Sequence, residues 1–301
     1  MLALAAAIPA SLPAGDGPDV GVAAAVTVPV WGPAIVPPAA VPAMAGAHTA
    51  TVRLSSGGRL RTAIVLTPTT GLRVPLVIVL HGRDSTPAQE LVRTGFADLA
   101  AQGQAVLAYP AGIGRSWNAR TGCCAPAATL HVDDVGFLRQ LVGAVEAHSL
   151  IDSSRVYLVG YSNGGRLALT AACALPGRFA GVATYGTAQP AHCPAGRPPL
   201  PVFIGYGGAD PHAAPGYVPA GGTTGPQTAA DWRAVDSCTG PPTVTTTGPE
   251  TSEEWTSCRG GGRVALVRWD GLTHRWPGSG WVPADTAGRV LMWRFLTGRE
   301  V

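Results

Sequence analysis

Residues 74–80, VPLVIVL, are an uninterrupted apolar run, the pattern of a strand covered on both faces. Similar runs recur at 104–110 (QAVLAYP), 155–160 (RVYLVG), 179–186 (FAGVATYG), 200–207 (LPVFIGYG) and 263–270 (RVALVRWD). Ahead of them, TATVRL (49–54) and TAIVL (62–66) alternate like half-covered strands. Helical spacing fills the gaps at 86–103, 133–150, 163–175, 225–235 and 286–298, with Asp133 placed as an N-cap. Strands alternating with helices predict a mostly parallel, doubly wound α/β sheet with helices on both faces. The stretches 111–130 and 211–225, rich in Gly, Pro and Ala, read as long loops after strands, where such sheets build their ligand sites. The Thr/Pro/Gly-rich segment after 238 reads as loop as well.

An apolar fraction of 46% against 13% charged residues in 301 residues means a sizeable core. The net charge is +3, carried by arginines that are scattered along the chain, so nothing here favours nucleic-acid binding. Residues 1–47 differ in being rich in Ala, Val and Pro, with no basic residue. Small residues at Ala43 and Ala45, or Ala45 and Ala47, have the spacing of a signal-peptidase site, so this stretch is expected to be an export signal or a disordered leader. Its prolines argue against a membrane span. Residues 48–301 are then the folded domain, and a monomer is expected.

The six cysteines, Cys123, Cys124, Cys173, Cys193, Cys238 and Cys258, contain no CxxC and no zinc-site spacing. With an export signal they read as three disulfides formed outside the cytoplasm. Cys238–Cys258 is the favoured pair, and Cys123 and Cys124 are expected to enter two separate bridges. Neither a phosphate-binding glycine loop nor a metal-ligand cluster is present, and no cofactor is expected.

The chemistry concentrates at GYSNG, residues 160–164, a G-x-S-x-G between a strand and a helix. Such a turn lifts the serine hydroxyl above the sheet at a helix N-terminus, the nucleophile elbow of α/β hydrolases. A serine needs a base, and the base an orienting acid, in chain order Ser, acid, His. Asp210 after FIGYG and His274 after VALVRW fall in those places. His212 comes too early in that order, and Asp270 reads as a surface or turn residue. Backbone N–H groups of Asn163 and of Arg83, in the loop after LVIVLHG, are the expected oxyanion donors. The adjacent carboxylates Asp133 and Asp134 read as capping residues.

The segments LVIVLHG, SWNARTGCCAPA, VDDVGFLRQLV, RVYLVGYSNGGRLAL, LPGRFAGVA and GLTHRWPG occur in this order and together resemble the poly(3-hydroxybutyrate) depolymerase-like esterases. These are related to the feruloyl and acetylxylan esterases of carbohydrate esterase family 1. The resemblance implies a secreted serine esterase with a triad at Ser162, Asp210 and His274, and places Trp117, Asn118 and Trp276 near the substrate pocket. His81 and Tyr161, beside the two oxyanion turns, are expected in the same pocket. Two departures stand out: Arg83 where the family carries a small residue or Cys, and WNARTGCC, one residue longer than the family's WNAGxCC. The expected substrates are small or oligomeric carboxylic esters, either short hydroxyalkanoate oligomers or feruloyl and acetyl sugar esters. A mycolyl-type acyltransferase using the same triad, and a non-catalytic cell-surface binding protein, are the competing readings.

Overall fold

The computed structural model describes residues 30–31, 44–119, 122–218, 222–278, 280 and 282–299. Most of the expected leader therefore lies outside the described residues. The strands are β1 (Val30–Trp31), β2 (Ala47–Ser56), β3 (Arg59–Pro68), β4 (Val74–Leu80), β5 (Val106–Pro110), β6 (Ile151–Tyr161), β7 (Gly181–Tyr185), β8 (Val202–Gly207), β9 (Thr243–Thr247), β10 (Glu250–Trp255) and β11 (Val264–Trp269). The helices are α1 (Pro87–Thr94), α2 (Ala97–Ala101), α3 (Asp134–His148), α4 (Asn163–Ala174), α5 (Gly225–Val235) and α6 (Gly288–Thr297). One sheet runs β1-β2-β3-β5-β4-β6-β7-β8-β11-β10-β9. Its centre, from β5 through β4, β6, β7 and β8 to β11, is parallel, and antiparallel pairs flank it on both sides.

All seven residues of β4 are buried, and the period of two sorts them between two cores. Leu76, Ile78 and Leu80 join the face covered by α3, α4 and α5, while Val77 and Val79 join the face covered by α1, α2 and α6. This is the α/β-hydrolase arrangement, with the C-terminal ends of the central strands along one edge.

Four expectations change. The helix expected over 86–103 is broken into α1 and α2 at Gly95, which adopts the left-handed region at φ 67°. The stretch between Cys238 and Cys258 contains a hairpin, β9–β10, instead of loop alone. Its outer strand, TVTTT, is exposed along its whole length, so it has no apolar alternation to betray it. Asp133 caps α3 through Gly136 N at 2.9 Å, but Asp134 does not act as a surface cap. It is buried and paired with buried Arg61 at 2.6 Å, while Asn118 N donates to its second oxygen at 2.7 Å. Finally, Cys123 bridges to Cys124 itself. Cys173 on α4 is taken by Cys193, and Cys238 by Cys258, which leaves the neighbours only each other.

The Cys238–Cys258 bridge ties the segment after α5 to the end of β10. A closed span of this length contributes about 3 kcal/mol by restricting the unfolded chain. The C238S/C258S double variant should therefore unfold at lower denaturant by about that amount, measured against wild type by equilibrium urea denaturation.

Arg61 and Asp134 make the opposite test. Removing one partner of a buried pair strands the other charge, so Arg61→Ala should cost about 3–5 kcal/mol in the same measurement.

Candidate active site

β6 ends at Tyr161 and α4 begins at Asn163, so the turn between them is Ser162 alone. Its backbone lies at φ 53°, ψ −119°, which costs an L-residue about 1–3 kcal/mol. Three hydrogen bonds fix it there. Ser162 N donates to Tyr185 O at 2.9 Å, and Ser162 O accepts from Thr187 Oγ1 at 2.7 Å and Arg166 N at 3.1 Å. The neighbouring glycines are needed for close approach. A methyl group on Gly164 would run into the carbonyls of Leu80 and His81, and one on Gly160 into the Gly164–Gly165 peptide.

Asp210 follows β8 and His274 follows β11, two strands that pair in parallel. His274 Nδ1 lies 3.0 and 2.9 Å from the two carboxylate oxygens of fully buried Asp210. His274 Nε2 lies 2.9 Å from Ser162 Oγ. With the Nδ1 proton directed at the carboxylate, Nε2 is free to accept from the serine hydroxyl. Tyr161 holds the imidazole from the side: its ring stacks on His274 at 5.1 Å, and its hydroxyl donates to His274 O at 2.7 Å.

The backbone N–H groups of Arg83 and Asn163 donate to no acceptor among the described residues. Both belong to turns beside Ser162, since a Cβ on Gly82 would stand 3.4 Å from Ser162 Cβ. His81, expected in the pocket, is buried behind that turn instead. Its Nε2 accepts from Gly112 N at 3.0 Å, so its Nδ1 donates to Gly82 O at 2.7 Å. Burial pushes its pKa down to about 4, which keeps it neutral in this bracing role.

A cleft of about 350 Å³ opens over Ser162. Of the expected wall residues, Tyr161 lines it and the others do not. Trp117 is fully buried, its Nε1 donating to His81 O at 2.8 Å. Asn118 turns its amide to Val132 O at 2.9 Å. Trp276 is buried against Tyr161, Tyr185 and Phe96. Loop aromatics read as binding surface have become core because their partners lie far away along the chain. Asp270, as expected, sits at the surface, paired with Arg268 at 2.8 Å.

The cleft holds further residues, of which the sequence reading passed over Arg93 and Arg166. Arg83, Arg93 and Arg166 line it, together with the Cys123–Cys124 pair and His212. His212 stands edge-on to His274 with ring centres 4.6 Å apart, and its pKa is lowered, chiefly by burial. Arg93 is held 2.6 Å from buried Glu90 and 5.1 Å over the Tyr161 ring. Burial raises Glu90 to about 7 against the pull of Arg93. Arg83 faces exposed Asp84 at 3.4 Å. Arg166 has no carboxylate partner among the described residues, and burial lowers its pKa. One signal for Arg166 was available: it stands four residues after Ser162, one helical turn along α4.

Gly186, in the left-handed region at φ 62°, lies under this arrangement. A Cβ there would stand 2.9 Å from His274 Cε1, 3.0 Å from Nδ1 and 3.3 Å from Asp210 Oδ2. Gly186→Ala should displace the imidazole and slow the reaction of Ser162 with a fluorophosphonate at least about 10-fold, as expected when catalytic geometry shifts by an ångström. The check is the labelling rate alongside the thermal unfolding midpoint.

A profile of the dienelactone hydrolase family matches residues 62–219. Among curated proteins, the chain is 38% identical over 144 residues to "Putative esterase NocK" of Nocardia uniformis subsp. tsuyamanensis, covering 46% of this chain and 40% of that one. It is 24% identical over 132 residues to feruloyl esterase D of Neurospora crassa, covering 44% and 42%. The chain thus spans about two fifths of the length of these relatives. The acetyl xylan esterase of Aspergillus awamori shares the fold, with a TM-score of 0.57 at 15% identity over 77% of this chain and 96% of that one. The family profile spans just over half of the chain and runs from β3 through the Ser162 turn to the loop beyond Asp210. On that match, the chain belongs to the dienelactone hydrolase family.

Proposed function

We propose that the protein is a secreted serine esterase that cleaves carboxylic esters through an acyl-enzyme on Ser162. The observation that carries this reading is the unbroken contact Ser162 Oγ to His274 Nε2 and His274 Nδ1 to Asp210, placed at a helix N-terminus. Ser162 attacks the ester carbonyl while His274 takes its proton, and Asp210 stabilises the imidazolium. The N–H groups of Arg83 and Asn163 receive the oxyanion, helped by the dipole of α4. His274 returns the proton to the leaving alcohol, and water repeats the cycle to free the acid. Residues His212, Arg83 and Arg166 lie around the reacting atoms and position substrate.

Export is supported by the pairing of all six cysteines, which suits an oxidising compartment. Among the described residues no helix is long and apolar enough to cross a membrane. For the substrate, Arg166 favours one group among the expected esters. A partly buried guanidinium without a carboxylate partner is best satisfied by an anion brought with the substrate. Hydroxybutyrate oligomers carry a terminal carboxylate, and feruloyl and acetyl sugar esters do not. The resemblance to polyhydroxybutyrate depolymerase-like esterases points to the same oligomers.

Ser162→Ala and His274→Ala should each lower kcat on p-nitrophenyl acetate by about 10⁵- to 10⁶-fold with the fold intact. If His212→Ala is inactive while His274→Ala turns over, the roles are misassigned. A panel of p-nitrophenyl esters from acetate to palmitate should peak at the short end. The hydroxybutyrate trimer should be preferred to its methyl ester, and Arg166→Met should reduce that preference about 10- to 100-fold, the worth of a charge-assisted contact. A maximum at C12 or longer, with no turnover of trimer or methyl ferulate, would point to a lipase.

A further inference from the structure

Two short backbone segments must stand at a fixed separation for a paired oxyanion site: the turn after β4, with Arg83, and the start of α4, with Asn163. They come from different elements, and the structure joins them through a third. Trp117, fully buried, donates its indole N–H to His81 O at 2.8 Å, two residues before Arg83. The same residue's backbone forms a closed pair with the Asn163 side chain. Trp117 N donates to Asn163 Oδ1 at 2.7 Å, and Asn163 Nδ2 donates to Trp117 O at 3.1 Å. Asn163 Nδ2 also reaches Cys123 Sγ at 3.8 Å.

Trp117 is in turn tied to the Cys123–Cys124 bridge. Cys124 N donates to Trp117 O at 3.0 Å, and Ala119 N to Cys123 O at 3.2 Å. Cys123 and Cys124 line the same cleft as Ser162 and Arg166. The bridge restricts two residues that would otherwise rotate independently at this wall, and its partners in the network are the atoms that orient Asn163.

We propose that Trp117, the Asn163 side chain and the Cys123–Cys124 disulfide form one positioning brace that sets the separation of the two oxyanion-binding N–H groups. The proposal rests on the esterase reading, and it gives the vicinal bridge a role in turnover beyond holding the fold. No member of the brace touches the reacting atoms through its side chain. Its loss should therefore appear in kcat, where the oxyanion develops, while KM is largely retained.

The test uses the full-length oxidised protein and its C123S/C124S double variant, with C238S/C258S as a remote control. Steady-state kinetics on p-nitrophenyl acetate should give kcat lower by about 10- to 100-fold in C123S/C124S, below the cost of deleting an oxyanion donor outright. KM should stay within about threefold. In the control kcat should hold even though its stability falls. Trp117→Phe keeps a ring in the core but removes the indole donor, and should show the same split between kcat and KM. Amide hydrogen exchange at Trp117 and Ala119 should be faster in C123S/C124S than in wild type, a readout independent of turnover.

Unchanged kcat in C123S/C124S, or a fall matched by the remote control, would overturn the brace. Wild-type protein that neither turns over esters nor reacts with a fluorophosphonate would instead remove the esterase reading. The exchange rates would then still decide whether the bridge orders Trp117, and unchanged rates would remove the brace as well.

Discussion

Ser162 occupies a backbone conformation that an L-residue avoids, and much of the surrounding sequence exists to hold it there. The strand before it must run straight to the corner, which the buried VYLVG run of β6 ensures. The helix after it must start at once against the ends of β4 and β6, and only glycine at 160 and 164 leaves room for that. Three hydrogen bonds offset the strain: Ser162 N donates to Tyr185 O, and Ser162 O accepts from the Thr187 hydroxyl and from Arg166 N. Everything placed around the hydroxyl, from His274 to the N–H groups of Arg83 and Asn163, depends on this corner keeping its angle.

The second constraint is electrostatic. Several polar groups are drawn into the interior beside the edge that carries Ser162, and three sets of them are paired there. Asp134 and Arg61 close a buried ion pair that also receives Asn118 N. His81 stays neutral between Gly112 and Gly82. Glu90 holds Arg93 against Tyr161, which in turn stacks on His274. These buried contacts run from the interior to the cleft, whose rim carries the exposed Arg83 and Asp84.

Sequence pattern reveals what is local. The buried strand β4 appears at its expected limits, 74–80, because an apolar run needs no knowledge of its neighbours. The residues Ser162, Asp210 and His274 were legible from motif and strand order, and the structure brings them into contact. What escaped was set by partners distant in sequence. Trp117 was read as pocket wall, yet its neighbours His81 and Asn163 lie 36 and 46 positions away. Asp134 was read as a cap, while Arg61 is 73 positions off. The β9–β10 hairpin carries polar residues on both faces of its edge strand, so neither helical nor strand periodicity marks it. The vicinal pairing of Cys123 with Cys124 followed only once the other four cysteines had found partners in space.

The central claim is that Ser162 carries the acyl group. Rapid mixing with p-nitrophenyl acetate at low pH, quenching, and mass analysis of the peptides tests it directly, because deacylation is slowed when the base is protonated. The account predicts one acetyl group, on the peptide bearing Ser162, formed at the rate of the nitrophenol burst and absent in Ser162→Ala. An adduct on another residue, or hydrolysis with no adduct and no burst while Ser162→Ala remains active, would contradict it.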